Sequence, residues 1–216
     1  MIIFQVEGDP DYIGINYESV EQVTPLRRLE FDHVPLDPAH VVNVHYAFKE
    51  PEEEGVITDC PDSGLGSTLV LSQRACDALG PMLEQAGALL RLNPPHEMGY
   101  RMFVCYWHID ALDTARTEHE EGFEGFITRF EFHPAALEGV DIFRLSNRVG
   151  RLFVSDRFVS EVRRHRLSGF RFHHLWSSDR GGVPLEDPVM IYERFPPGYG
   201  TTLREKRDAM RRLMAD

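Results

Sequence analysis

The chain is short of cysteine and lysine, and it lacks any long apolar run. Its three cysteines, Cys60, Cys76 and Cys105, are odd in number, widely spaced and without a C-x-x-C pair. That excludes a disulfide scaffold and fits a reducing compartment. No apolar stretch approaches the roughly 20 residues needed to span a bilayer. Met1 leads into Ile2-Ile3-Phe4-Gln5-Val6 and then acidic residues. The basic start, apolar block and small-residue cleavage site of an export signal are missing. The expectation is a cytoplasmic protein with no membrane partner. Lysine occurs only at Lys49 and Lys206, so the positive charge is nearly all arginine.

What the chain does have is acid. Across 216 residues, 35 Asp and Glu face 23 Lys and Arg, for a net charge of −12. The excess is uneven: residues 1–108 hold 17 acids and 6 bases, residues 109–216 hold 18 and 17. Such a surface repels a phosphate backbone, so no nucleic-acid partner is expected, and it attracts basic ones. Two runs concentrate it. Glu50, Glu52, Glu53, Glu54 and Asp59 fall in one segment; Glu118, Glu120, Glu121 and Glu124 fall in another. These nine are the candidate partner-binding residues, read as loops that meet a basic surface and speed encounter with it. Trp107 and Trp176 are candidate anchors for the same contact, with a buried core role the stronger reading for Trp107.

The pattern along the chain is mixed. Ile2–Val6, Val41–Phe48, Leu69–Leu71, Ala88–Leu92, Tyr100–Trp107, Phe126–Phe132 and Asp141–Leu145 read as strands. Gly8-Asp9-Pro10-Asp11 reads as a turn, and Cys60–Ser67 as the best internal boundary. Ser72 has the position of a helix N-cap. Ala75, Cys76, Leu79, Met82, Leu83 and Ala86 after it form one apolar stripe. Gly80-Pro81 predicts a kink or a division there, and Gly87 a left-handed exit. The arrangement returns at Leu152-Phe153-Val154-Ser155, with Phe158, Val159 and Val162 on the helix and Ser168-Gly169 after it. Duplication and common capping chemistry both produce this look. Thr201–Met214 predicts a basic C-terminal helix. The fold class is α+β: mainly antiparallel sheet regions, two strand–Ser-capped helix–strand units and that last helix. A single domain over 1–216 is expected, divisible into 1–66, 67–176 and 177–216.

No catalytic constellation stands out. The ten histidines do not fall at metal-ligand spacings, so neither metal nor cofactor is expected. Ser63-Gly64-Leu65-Gly66-Ser67 lacks the G-x-S-x-G order of a nucleophile elbow. Cys76 and Cys105 sit at apolar positions, and Cys60 is the more exposed by context. Gly198–Thr202 lacks the Lys-Ser/Thr ending of a phosphate loop.

From Leu69-Val70-Leu71-Ser72-Gln73-Arg74-Ala75-Cys76-Asp77-Ala78-Leu79 the chain takes on a recognisable order. Ile109–Asp113, Asp141–Leu145, Leu152–Arg157 and Leu167-Ser168-Gly169-Phe170-Arg171-Phe172 continue it. In this order, over about residues 66–176, the chain resembles a bacterial family of immunity proteins of polymorphic toxin systems, once a domain of unknown function and well represented in myxobacteria. The resemblance implies a small cytoplasmic protein that binds and neutralises a cognate toxin, with no catalytic residues to carry over. The alternative is an enzyme, a hydrolase or transferase, with its site between the two strand–helix units.

Overall fold

One strand threads two sheet regions and joins them. The computed structural model describes residues 1–19, 21, 24–26, 40–47, 58–121, 123–146, 148–184 and 190–193. β1 (Ile2–Tyr17) is followed by β2 (Val41–Ala47), β3 (Pro61–Asp62) and β4 (Thr68–Leu71). Then come α1 (Gln73–Ala86), β5 (Gly87–Asn93), β6 (Arg101–Cys105) and β7 (His108–Ile109). β8 (Glu118–Glu120) and β9 (Phe123–Arg129) form a separate two-stranded sheet. β10 (Ile142–Leu145), β11 (Arg148–Ser155), α2 (Asp156–Arg164) and β12 (Phe170–Ser177) complete the second region. Two short strands, β13 (Gly181–Gly182) and β14 (Met190–Glu193), pair with β12. The predicted C-terminal helix at 201–214 lies outside the described residues.

The main sheet runs β4-β6-β5-β2-β1-β11-β10-β7, with β12 and β3 also pairing with β1. Parallel pairs join β2 to β5, β7 to β10 and β1 to β3. The other named pairs are antiparallel, so the sheet is mixed. In its first half β1 lies between β11 and β12; in its second it pairs with β2 and β3. The turn expected at Gly8–Asp11 is not formed: β1 continues through it. Gly8 serves close approach instead. A Cβ there would stand 2.4 Å from the Pro61 carbonyl oxygen.

The two halves share a topology. β6 is antiparallel to both its neighbours, β4 and β5, which α1 connects. β1 is likewise antiparallel to β11 and β12, which α2 connects. Each helix is thus the crossover that two like-directed strands require. Ser72 Oγ accepts from the Ala75 amide at 3.1 Å, and Ser155 Oγ from the Phe158 amide at 3.4 Å. Both serines therefore occupy an orphan donor of the first turn. Both helices bury the residues three, four and seven positions past the cap: Ala75, Cys76 and Leu79 in α1, Phe158, Val159 and Val162 in α2.

These stripes meet in a shared core. Leu69, Leu71, Phe103 and Cys105 reach it from one sheet region; Phe4, Val6, Leu152, Val154, Phe170 and Phe172 reach it from the other. The opposite faces are also apolar. Val42, Val44, Val70, Leu90, Met102 and Val104 form one outer cluster. Ile3, Phe143, Phe153, Leu175 and Trp176 join Phe130 and Phe132 in the other. Burial on both faces explains why the run from Tyr100 to Trp107 does not alternate. Burial does not alternate over 127–132 either, since Ile127, Phe130, Glu131 and Phe132 are all buried.

Three further expectations need correction. α1 is not divided at Pro81, which is exposed. The carbonyl that proline leaves without a partner is that of Asp77, also exposed, where water can satisfy it. Gly87 is extended, at φ −177°, and not left-handed. It is glycine because a Cβ would lie 2.0 Å from the Val104 carbonyl oxygen. Cys60–Ser67, expected as a boundary, contributes Cys60 to the shared core and buries Ser63 and Ser67.

Gly169 and Gly80 give opposed expectations. Gly169 has φ +80°, and a Cβ would lie 1.9 Å from Thr58 Oγ1. Gly169→Ala should destabilise the protein by about 2 kcal/mol or more in urea unfolding. Gly80 is helical, and a Cβ added to it would meet nothing within 4 Å. Gly80→Ala should therefore stabilise by about 0.5–1 kcal/mol. Equal effects would contradict the packing described.

Candidate partner-binding surface

The polar groups at the heart of the molecule bind one another. Asp59 is 2% exposed. Ser72 Oγ donates to its Oδ1 at 2.8 Å, and Arg74 Nε to the same oxygen at 3.1 Å. Its Oδ2 accepts from Arg74 Nη2, from the Ser168 amide at 2.9 Å and from Ser168 Oγ at 3.2 Å. Arg74 also donates to the carbonyls of His165 and Arg166, just past the end of α2. One carboxylate thereby ties the start of α1 to the exit of α2. By sequence Asp59 groups with the acidic loop; the structure takes it out of that surface. A carboxylate removed from water needs such partners, and here it has them.

The second half repeats the arrangement. Asp141, 2% exposed, accepts from Ser155 Oγ at 2.8 Å and from Arg157 Nη2 at 2.8 Å. The cap amide donates to the aspartate carbonyl in both halves, at 2.9 Å for Ser72 and 3.0 Å for Ser155. Capping explains the serines. It does not explain an arginine two residues beyond each cap and a buried aspartate before it. The S-x-R spelling, Ser72-Gln73-Arg74 and Ser155-Asp156-Arg157, is the signal that could have found this second layer.

These serines are committed to structure. Each hydroxyl donates to a carboxylate and accepts from a helix amide, with no histidine among its partners. The space between the two units holds the apolar stripes of α1 and α2. The thiols are equally withdrawn. Cys60, expected to be the exposed one, is fully buried, and burial with Asp59, Asp62 and Asp9 nearby pushes its pKa well up. Burial raises Cys76 to about 11 and Cys105 to about 12. Among the described residues no three His, Cys, Asp or Glu side chains are placed to hold a metal. His173 Nε2 lies 3.0 Å from Glu7 Oε1, while His174 packs its ring 5.4 Å from that of Phe4. The His173 pairing holds the Glu7 carboxyl below its ordinary pKa.

Part of the expected acidic surface is on the β8–β9 hairpin. Glu118 and Glu120 are exposed on β8, and Glu121 is exposed at the turn. Glu118 forms an ion pair with Arg129 at 2.8 Å, so part of its charge is neutralised locally. Glu124 lies in β9 by its backbone. Glu50, Glu52, Glu53 and Glu54 lie outside the described residues. The hairpin is rooted in the core. Thr117 Oγ1 accepts from the Glu131 amide at 3.3 Å, and Ile127, Phe130 and Phe132 enter the outer cluster. Trp176, a candidate anchor, is 3% exposed; its Nε1 donates to Glu131 Oε2 at 3.0 Å. It is therefore part of that root and out of a partner's reach. Trp107 is half-buried between the shared core and the outer cluster.

The family model described as Immunity protein family (Imm11) matches residues 43–176. The match extends upstream of the span carried by the motifs and takes in most of β2. No curated protein matches the chain.

The carboxylate ties make a direct prediction. Asp59→Ala should cost about 2–4 kcal/mol in urea unfolding, because it strands the Ser168 amide and two hydroxyls in the interior. It should also make Cys60 the first thiol to react with a maleimide under native conditions. Unchanged stability would remove Asp59 from the centre of the fold.

Proposed function

The chain belongs to the immunity protein family Imm11, and from that membership we propose that it neutralises a cognate bacterial toxin by binding it directly. The family match over residues 43–176 carries this reading. Contact is made by the acidic segments, with Glu120 and Glu121 at the exposed end of the hairpin and Glu50, Glu52, Glu53 and Glu54 in the preceding half. They face a basic surface of the toxin. The net charge of −12 supports attraction to such a surface and repulsion of nucleic acid. Asp59 is not part of this contact. The protein acts in the cytoplasm, where the three free buried cysteines are at home. No helix among the described residues is long and apolar enough to cross a membrane.

The action is occupancy, without turnover. The hydroxyls that an enzyme reading would recruit, Ser72 and Ser155, have both donor and acceptor capacity engaged inside the scaffold. An inhibitor gains from a rigid support, because ordering side chains on binding costs about 0.5–1.5 kcal/mol each. The hairpin's buried root provides that support.

Coexpression with the product of the neighbouring toxin gene tests the reading: the wild-type chain should restore growth and copurify with the toxin. Glu120→Lys with Glu121→Lys should slow association about tenfold at low salt and flatten its salt dependence. Full lethality with wild-type protein present would end the toxin-binding reading. Unchanged association rates would remove the hairpin from the contact.

A further inference from the structure

A second surface carries the opposite charge. In β5 and β6, Arg91 and Arg101 are direct cross-strand partners, and both are exposed. Like charges at opposed positions destabilise an antiparallel pair. Among the described residues, neither guanidinium is within ion-pair distance of a carboxylate. Asp77, the α1 acid whose charge acts with that of Arg101 on the Cys76 thiol, accepts instead from Gln73 Nε2 at 2.7 Å.

The surroundings continue the face. Val41 is the Cα partner of Arg91, and Asn43 that of Asn93, whose Nδ2 donates to the Asn43 Oδ1 at 2.7 Å. On the next strand position of the same face His45 is exposed opposite exposed Asn16. The alternate residues, Val42, Val44, Leu90, Leu92 and Met102, point to the outer core, so strand alternation fixes this set on the other side. None of its strand positions carries an acid. Val41 is 42% exposed and, apart from Met1, is the only exposed large hydrophobic among the described residues. A chain of net charge −12 thus keeps, at the described strand positions of this face, two adjacent arginines and an apolar spot without an acid.

We propose that this ledge docks an acidic protein segment, with Arg91 and Arg101 together receiving its carboxylates and Val41 covering adjacent apolar surface. Guanidinium groups suit carboxylates because they offer planar paired donors. The proposal rests on the toxin-binding reading only in assigning the segment to the toxin. The complex then has two contacts of opposite sign, which sets the orientation of the partner as well as its approach.

Titration of the full-length protein with a decaglutamate peptide at low salt, followed by amide NMR, tests the ledge without the toxin. Shifts should be confined to Val41–His45, Arg91–Asn93 and Arg101. Arg101→Glu should weaken binding at least tenfold while raising the thermal midpoint, because Glu would then oppose Arg91 across the strands. Arg91→Gln with Arg101→Gln should give the same loss of binding without introducing a charge. Arg163→Glu with Arg166→Glu, at the exit of α2, should leave peptide binding unchanged. Shifts centred on that exit, or wild-type affinity in the Arg101→Glu protein, would overturn the proposal. Failure of wild-type protein to bind the toxin would instead strike the toxin-binding reading, and the peptide result would still decide the ledge.

Discussion

The Asp59 carboxylate is the constraint on which the rest of the molecule depends. It joins three segments far apart in sequence: its own loop, the serine and arginine that open α1, and Ser168 beyond α2. A buried carboxylate lacking those donors would be prohibitively costly, so the segments must come together for the chain to fold. Once they do, the two helices are held start to exit, and their apolar stripes close one core between two sheet regions. Asp141 fixes the start of α2 in the same way. The rigid part of the protein is therefore built from a repeated device of aspartate, capping serine and arginine.

This device separates scaffold from recognition. The residues that look chemically interesting in the sequence, the serines Ser72 and Ser155, the three cysteines and Asp59, are consumed by the scaffold. On the reading proposed above, the partner meets the acidic segments and the arginine ledge of β5 and β6. These carry opposite charge and lie on different segments of the chain. Binding without turnover fits such a division, since an inhibitor needs a firm support and a patterned surface.

The helix caps were legible because their signals are local. A serine before an apolar 3–4 periodicity needs only the next turn of chain to show its purpose, and Ser72 and Ser155 both serve it. The strands around them were legible for the same reason. The glycines misled because composition does not distinguish causes. Gly8 resembles a turn and Gly87 a left-handed helix exit, yet each makes room for a carbonyl from a distant segment. Asp59 misled in the same way: five acids close in sequence look like one exposed run, and only packing shows that Asp59 is buried.

By itself the sequence determined the α and β composition, the two capped helices, the acid excess and, through motif order, the family. Each depends on neighbours within a turn or on summed charge, which the linear chain already contains. Tertiary structure alone decided that β1 serves two sheet regions, that Asp59 and Asp141 are interior, and that Trp176 faces the core. It also brought Arg91 and Arg101 side by side. Those outcomes depend on which strands pair and in what register, and a pairing between distant segments leaves no mark in either one alone.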